Sequence, residues 1–229
     1  MQQITLRCTH LLFDMDGTLI NSHAPMVRAY TAWARSRGLD PQHVLSESQG
    51  RRTIDSMRAL LPVGTDVEAD ALALMQREQN DLEGIVEIPG AGALLRALPA
   101  DRWAVVTSAD RKLASSRLKA AGLPLPAVLV SAEDVAQGKP APDGFKLGAE
   151  RLGADATCCI VFEDAPAGVA AGLAAGARVI AISQKPMAED AVVEARLADL
   201  RPISVSLDGE ALVLVVSVHN ARVAEGILS

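Results

Sequence analysis

Two acidic residues, Asp14 and Asp16, end an apolar run and stand one residue apart, just before Gly17. A buried parallel strand that delivers carboxylates to the rim of its sheet has this composition. Carboxylates in that position can bind a divalent cation, attack as nucleophiles or transfer protons. A capped turn is an alternative, and so is a calcium-binding loop, although such a loop needs a closing Glu where this chain has Pro25. The motif alone leaves all three interpretations open.

Polar residues also follow three later apolar runs of strand-like composition. Thr107 and Ser108 come directly after one run, Lys139 lies in the loop beyond the next, and Glu163 and Asp164 come after another. Each group by itself also fits a helix cap, a solvated turn or a helix start. Because the carboxyl ends of parallel strands meet at one edge of a sheet, we predict that these groups converge with the first acidic pair.

Together these residues have a consistent chemistry. The carboxylates form an anionic, oxygen-rich site suited to Mg²⁺, which takes few protein ligands together with water and substrate phosphate. A hydroxyl, backbone N–H groups and a lysine add donors for a phosphoryl group. One aspartate can attack phosphorus, and the other can protonate the leaving oxygen and then activate water. The pattern therefore predicts phosphoryl transfer.

The elements that must position these residues alternate along the chain. Apolar runs predict strands at 4–13, 103–107, 127–131, 158–162 and 178–182. Helical patterns lie at 90–98, 110–121, 144–152 and 165–175, with another near 188–197, and Asp208-Gly209 predicts a hairpin between 203–207 and 211–218. Apolar strands that alternate with helices indicate a parallel sheet covered on both faces. The predicted fold class is therefore a doubly wound, Rossmann-like α/β sheet.

Residues 22–85 interrupt this alternation. They contain three helical patterns, at 26–37, 51–61 and 67–82, and no convincing strand pattern. Breaks fall at 38–41 and 62–64, where Gly and Pro cluster. The sequence thus predicts an α/β core domain of residues 1–21 and 86–229, with an inserted helical cap domain of residues 22–85.

Composition narrows the classes of partner. The formal net charge is −6, which gives no general affinity for nucleic acid or anionic membranes. Residues 1–10 lack an apolar signal core, and no later apolar run approaches the roughly 20 residues that span a bilayer. We therefore expect a cytoplasmic protein, a monomer or weak homo-oligomer, whose partners are small molecules. The three cysteines predict buried free thiols.

Four segments together resemble a known family, the haloacid dehalogenase superfamily. They are DMDGTLINS at 14–22, VVTSA at 105–109, GKPAPDGF at 138–145 and VFEDAPAGVAAGLAAG at 161–176. The likeness covers essentially the whole chain and is greatest to capped bacterial sugar phosphatases, with glycerol-phosphate and deoxysugar-phosphate phosphatases nearby. It implies a Mg²⁺-dependent phosphatase that hydrolyses small phosphorylated sugars or polyols through an aspartyl phosphate.

The resemblance also implies roles for the acidic residues. Asp14 would be the nucleophile, and Asp16 would be the general acid and base, with its backbone carbonyl on the metal. Asp164 would hold Mg²⁺ together with Asp14, and Glu163 would support the metal through water. Relatives that act as dehalogenases attack carbon without a metal. The retained Asp16 and Asp164 therefore favour phosphorus over halide.

Donors for the phosphoryl group come from three places in the resemblance. Thr107 and Lys139 would bind the phosphoryl oxygens, and Lys139 would also offset repulsion among the carboxylates. Gly17 and Ser108 would contribute further donors. In the predicted cap, the likeness of segment 50–53 to a substrate-reading loop makes Arg51 and Arg52 candidates for substrate contacts. Glu78, on a later helix, is a separate candidate for a polyol contact, although a charged helix residue usually lies on a solvated face.

Two alternatives to a phosphatase remain open. A phosphomutase of the β-phosphoglucomutase type uses the same aspartyl phosphate but must grip a distal phosphate with its cap. Residues 22–85 contain arginines but no lysine, where those mutases have one, so hydrolysis is favoured. A non-catalytic binding or regulatory module on the same fold is the other alternative.

Overall fold

The computed structural model describes residues 2–183 and 193–218, and the structural statements below concern that part of the chain. Its strands, in chain order, are β1 (Gln2–Cys8), β2 (His10–Phe13), β3 (Ile20–Asn21), β4 (Val86–Glu87), β5 (Trp103–Val106), β6 (Val128–Val130), β7 (Cys159–Glu163), β8 (Arg178–Ile182), β9 (Ala195–Leu197), β10 (Ile203–Asp208) and β11 (Ala211–Val218). Its α-helices are α1 (His23–Ser36), α2 (Pro41–Ser48), α3 (Thr53–Leu60), α4 (Val67–Asn80), α5 (Ala91–Ala97), α6 (Arg111–Ala120), α7 (Asp143–Arg151) and α8 (Pro166–Ala174).

Six parallel strands form the central sheet, in the order β6-β5-β2-β7-β8-β9. All four residues of β2 are buried. Successive side chains of a strand point to opposite faces of the sheet, and helices cover both faces here. Leu11 and Phe13 pack with helices α5 and α6, whereas Leu12 packs with α7 and α8. The predicted doubly wound α/β class is confirmed.

The predicted strand at 4–13 is in fact two strands that belong to different sheets. β2 joins the parallel sheet, whereas β1 pairs antiparallel with β11 in a three-stranded sheet of order β1-β11-β10. β1 is exposed over much of its length, while β2 is buried throughout. The difference arises because a strand in an antiparallel sheet can expose one face to solvent, whereas a strand inside a parallel sheet is buried on both faces. The predicted hairpin at Asp208-Gly209 is confirmed by the pairing of β10 with β11.

The predicted helix near 188–197 is wrong at its end. Residues 195–197 form β9, which pairs in parallel with β8, and residues 188–192 lie outside the described part. Ala195 and Leu197 are buried and Arg196 between them is exposed, the alternation of a strand.

Helix α2 was not predicted. Asp40 caps it by accepting hydrogen bonds from the backbone N–H groups of Gln42 and His43, and Pro41 is its first residue. An N-cap residue followed by proline is typical of a helix start. Asp40 and Pro41, which the sequence analysis placed in a break between helices, therefore begin α2.

Helices α1 to α4 pack around an apolar cluster of their own. It is centred on Trp33, Val44, Met57 and Leu74, all buried. Before α1 and after α4, the short strands β3 and β4 pair antiparallel with each other. The chain therefore leaves the α/β part and returns to it at neighbouring points. Among the described residues, no helix has the length and apolarity needed to cross a membrane.

Candidate active site

Three carboxylates meet at the carboxyl edge of the sheet. Asp14 follows β2, and its backbone N–H donates to the carbonyl of Phe162 in the neighbouring strand β7 at 2.9 Å. That pairing places Asp14 beside Glu163 and Asp164, so that one carboxylate oxygen from each of the three lies within 4.8 Å of the others. Strands that are adjacent in the sheet but distant in sequence thus bring three of the four predicted acidic residues together, whereas the carboxylate of Asp16 is bound by Arg117 and Ser22.

Lys139 lies at the centre of this cluster. Its Nζ donates to Oδ1 of Asp14 and to Oε1 of Glu163, both at 2.6 Å, and to the carbonyl of Val106 at 3.3 Å. Oε2 of Glu163 accepts from the backbone N–H of Ala165 at 2.7 Å. Glu163 is fully buried and Lys139 nearly so. A buried ammonium with these partners stays charged, because the carboxylates outweigh its desolvation and raise its pKa.

The cluster carries more negative than positive charge. Burial raises the pKa of Asp14 to about 7, against the opposing effect of Lys139. Burial and then the carboxylate of Glu163 raise the pKa of Asp164 well above its ordinary value. Three carboxylates face one ammonium, a formal charge of −2 when all are ionised. A small divalent cation with oxygen ligands would offset that charge, so the donor set fits Mg²⁺.

Gly17 allows the turn after β2 to approach Asp164. Its φ is +90°, a conformation that favours glycine, and a Cβ atom at this position would lie 2.0 Å from Oδ2 of Asp164. A side chain there would displace a predicted metal ligand. The predicted site residue Gly17 thus lies against the carboxylate cluster. A residue without a side chain is needed there because Asp164 occupies the space that a Cβ atom would take.

Thr107 and Ser108 follow β5 at the same edge. The backbone N–H of Thr107 bonds to Val130 in β6, and its buried Oγ1 accepts from the backbone N–H of Ala109 at 3.1 Å. The hydroxyl of Ser108 donates to the carbonyl of Gly50 at 2.9 Å. Both residues line the site, but the side chain of Ser108 binds Gly50, which belongs to the helical segment of residues 22–85.

A cavity of about 760 Å³ lies between the helical segment and the sheet edge. Asp14, Asp16 and Asp164 line its floor on the sheet side. The helical segment contributes Tyr30, Gln49, Arg51, Arg52, Thr53, Met75 and Glu78. The predicted substrate-contacting residues therefore share one cavity with Asp14 and Asp164 of the carboxylate cluster.

Arg52 is held by protein groups. It donates to both carboxylate oxygens of Asp55, at 2.6 and 3.0 Å, and to the carbonyl of Val135 at 3.0 Å. Its side chain also covers Gly138, where a Cβ atom would lie 2.7 Å from the Arg52 Nε. Arg51 is exposed and makes no salt bridge with a described residue. Of the two arginines, only the guanidinium of Arg51 is unpaired among the residues that the structure describes.

Asp16 and Glu78 are joined by Arg117, a residue that the sequence analysis missed. The Nη1 of Arg117 donates to Oδ1 of Asp16 at 3.0 Å, and its Nη2 donates to Oε1 of Glu78 at 2.9 Å. Glu78 is nearly fully buried. Arg117 lies on the buried face of α6 with Leu113 and other apolar residues, so a charged residue at an apolar helix position was the available signal.

Comparison with known proteins shows the family to which the chain belongs. Residues 8–176 match the family of haloacid dehalogenase-like hydrolases. Hexitol phosphatase A of Escherichia coli is 46% identical over 182 residues, which are 78% of this chain and 84% of that protein. Glycerol-1-phosphate phosphohydrolase 2 of Saccharomyces cerevisiae is 34% identical over 191 residues, or 79% and 76% of the two chains. The crystal structure of a hydrolase from Pseudomonas syringae superposes with a TM-score of 0.75 at 25% identity, over 84% of this chain and 94% of that one.

The structure is a doubly wound α/β protein with clustered carboxylates and a buried lysine at the carboxyl edge of its sheet. The chain belongs to the haloacid dehalogenase-like hydrolases, because the family match spans most of its length. The predicted resemblance and the predicted enzyme class, a phosphatase, are confirmed by the relatives.

Proposed function

We propose that this protein is a Mg²⁺-dependent phosphatase that hydrolyses small phosphorylated sugars or polyols through an aspartyl phosphate on Asp14. The observation that carries the proposal is the buried Asp14 carboxylate, bound by Lys139 at 2.6 Å and grouped with two further carboxylates. Two relatives named for hexitol and glycerol phosphates support the substrate class. The cavity of about 760 Å³ suits a small-molecule ester.

Asp14 and Asp164 would hold the Mg²⁺ ion, with the backbone carbonyl of Asp16 as a further ligand and Glu163 in support. When bound, the cation supplies positive charge that neutralises carboxylate and phosphoryl oxygens. Lys139 supplies a second positive charge from the protein itself. We assign Lys139 and Thr107 to the phosphoryl oxygens, with a further donor at Ser108. The backbone N–H of Gly17 already donates to the carbonyl of Ile20 at 2.7 Å in this structure.

The reaction then proceeds in two steps on the side chains of this chain. The Asp14 carboxylate attacks phosphorus, the bond from phosphorus to the ester oxygen breaks, and Asp16 gives its proton to the departing alcohol. In the second step, water attacks the phosphorus of the aspartyl phosphate and gives a proton to Asp16. The bond from Asp14 to phosphorus breaks, inorganic phosphate leaves, and both aspartates return to their starting state.

The helical segment of residues 22–85 is, in this proposal, a cap domain over a core of residues 1–21 and 86–229. It excludes bulk water and supplies substrate contacts. Arg51 is the better candidate for a substrate hydroxyl, because Arg52 is bound to Asp55 and Val135 and instead holds the loop in place. Glu78 acts through Arg117.

The proposed localisation, oligomeric state and partners rest on the composition of the chain and on its relatives. We propose a cytoplasmic enzyme, a monomer or weak homo-oligomer, that acts on a small-molecule phosphate ester and has no nucleic-acid or membrane partner. A phosphomutase is disfavoured because a distal phosphate needs a cationic grip. Those mutases have a lysine in the cap, and residues 22–85 contain none. A non-catalytic module is disfavoured by the phosphatase names of the relatives.

A phosphate-release screen tests the proposal. Purified protein is assayed with hexose, hexitol, pentose, deoxysugar and glycerol phosphates in the presence of Mg²⁺, and EDTA serves as the metal control. We expect release from sugar or polyol phosphates, loss of release with EDTA, and abolished turnover in Asp14→Asn. Asp208→Asn, a change of an exposed aspartate in the hairpin, is the matched control and should retain activity. No release from any ester, or full turnover in Asp14→Asn, would reject the proposal.

A further inference from the structure

Arg117 joins the two parts of the molecule at the active site. It belongs to α6 of the α/β part and is only 3% exposed. One arm of its guanidinium binds Asp16, beyond β2, and the other binds Glu78 in the last turn of α4 in the helical segment. A single buried cation thus lies between a predicted catalytic carboxylate and a cap carboxylate.

The charge of Arg117 is maintained by these two partners. Burial by itself would lower the pKa of the guanidinium, but the carboxylates of Asp16 and Glu78 outweigh it and raise that pKa. The Nε of Arg117 is buried and has no hydrogen-bond partner among the described residues. The side chain is therefore held by its two terminal nitrogens, each directed at one carboxylate. A buried charge needs such partners, so losing either of them alters the position of the other.

Arg117 also determines which oxygen of Asp16 remains free. Oδ1 of Asp16 accepts from Nη1 of Arg117 at 3.0 Å and from the hydroxyl of Ser22 at 2.5 Å. Oδ2 of Asp16 has no hydrogen bond to a described side chain, and the residue lines the cavity. Two donors on one oxygen fix the rotation of the carboxylate. The second oxygen is left to exchange a proton with the substrate.

Docking of the cap keeps Arg117 in this position. Beside Glu78, the side-chain amide of Gln79 donates to both carboxylate oxygens of Asp110 at 3.2 Å. Asp110 is the N-cap residue of α6, the helix that carries Arg117. The last turn of α4 therefore contacts α6 at two points. Movement of the cap away from the core would separate Glu78 from Arg117 and release one of the two constraints on that side chain.

We propose that Arg117 is a positioning residue that couples docking of the cap to the orientation of the Asp16 carboxylate. The inference rests on the proposed phosphatase function, in which Asp16 protonates the leaving alcohol. In the docked state Glu78 holds Arg117, Arg117 holds Oδ1 of Asp16, and Oδ2 faces the substrate. Proton transfer is thereby limited to the state in which the cap closes the cavity.

This coupling can be tested by comparing substrates whose leaving groups differ in their need for a proton. An alkoxide needs a proton as it departs, whereas p-nitrophenolate is stable without one. The value of kcat/KM depends only on substrate binding and the steps up to cleavage of the ester bond. It therefore reports protonation of the leaving alcohol and is not affected by the later hydrolysis of the aspartyl phosphate. The assay compares glycerol 1-phosphate with p-nitrophenyl phosphate in the presence of Mg²⁺. Release from both esters by the unaltered protein tests the phosphatase function on its own, before any variant is considered.

We expect Arg117→Met to lower kcat/KM for glycerol 1-phosphate by roughly 10²-fold, the lower range for general acid catalysis, and that for p-nitrophenyl phosphate by less than about tenfold. Asp16→Asn should show the same selectivity with a larger loss. Glu78→Gln should cause a smaller selective loss, which adds little when combined with Arg117→Met. Lys112→Met, at an exposed position on the same helix, is the matched control and should leave both values unchanged.

Equal losses on the two esters would mean that Arg117 is only structural, and no loss would mean that it does not act on Asp16. Either result overturns the inference while the phosphatase function stands. If Arg117→Met does not fold, Arg117→Met/Glu78→Met replaces the buried pair with apolar side chains, a change that folded proteins often tolerate. The double variant should show the same leaving-group selectivity, and equal losses in it would again reject the coupling.

Discussion

Lys139 is the positive charge at the centre of the acidic cluster, and we predict that Lys139→Met destabilises the fold as well as abolishing turnover. The substitution removes hydrogen bonds of 2.6 Å to Asp14 and to Glu163 and leaves both carboxylates buried. A hydrogen bond to a charged group contributes about 1.5–3 kcal/mol. Breaking a buried ion pair from one side costs about 3–5 kcal/mol in other proteins. The free energy of unfolding should therefore fall by about 3–5 kcal/mol.

Urea denaturation at pH 7 with EDTA measures this change without a contribution from bound metal. Lys146→Met, at an exposed position of α7, is the control and should stay within about 0.5 kcal/mol of the unaltered protein. Lys139→Met/Glu163→Leu removes one of the unpaired carboxylates and should recover part of the loss. A loss below about 1 kcal/mol in the single variant would contradict the reasoning, because an uncompensated buried charge is more costly than that.

Three further predictions concern other parts of the molecule. Gly17→Ala should lower the melting temperature and raise the Mg²⁺ concentration needed for half-maximal activity, because a Cβ atom would lie 2.0 Å from Oδ2 of Asp164. Arg52→Ala should change KM and substrate preference more than kcat, measured on hexitol and glycerol phosphates, because Arg52, oriented by Asp55, holds the helical segment of residues 22–85 to the carbonyl of Val135. Asp134→Asn should lower the free energy of unfolding by about 1–2 kcal/mol at pH 7, and urea denaturation should show that the difference disappears in acid.

The sign of the last prediction follows from the contacts of Asp134. Partial burial alone would raise its pKa, but hydrogen bonds from Arg151 and Ser131 outweigh it and lower the pKa below its usual range. A lowered pKa stabilises the fold above the ordinary value of about 4, and the contribution is lost as the pH falls through the folded value. An equal deficit at pH 7 and in acid would contradict this assignment. Wild-type metal dependence in Gly17→Ala, or an unchanged preference in Arg52→Ala, would contradict the other two.

The strand ends could be predicted because their composition is a local signal. Asp14 and Asp164 each follow a short apolar run. A parallel sheet places the carboxyl ends of its strands at one edge, independently of the structure of the segments that connect them. Helices α1, α3 and α4 of residues 22–85 were predicted from periodicity for the same reason. Helix α2 carried its own start signal, Asp40 followed by Pro41, which was interpreted as a break.

The remaining features depend on contacts between distant residues. The three-residue strand β9 is too short to show periodicity, and only its pairing with β8 defines it. The burial of Arg117 depends on Asp16 and Glu78, which are 101 and 39 positions away in the sequence. A charged residue in an apolar helix position indicates that such partners exist but does not identify them.

The central claim is that Asp14 becomes phosphorylated during turnover, and the most direct test is to trap that intermediate. The protein is mixed with glycerol 1-phosphate and Mg²⁺, quenched in acid within the first turnover, and digested for mass spectrometry. We predict that the peptide containing Asp14 gains the mass of one phosphoryl group and that Asp14→Asn shows no such gain. A phosphoryl group on Asp16 or another residue, or turnover with no phosphorylated peptide at any quench time, would contradict the account.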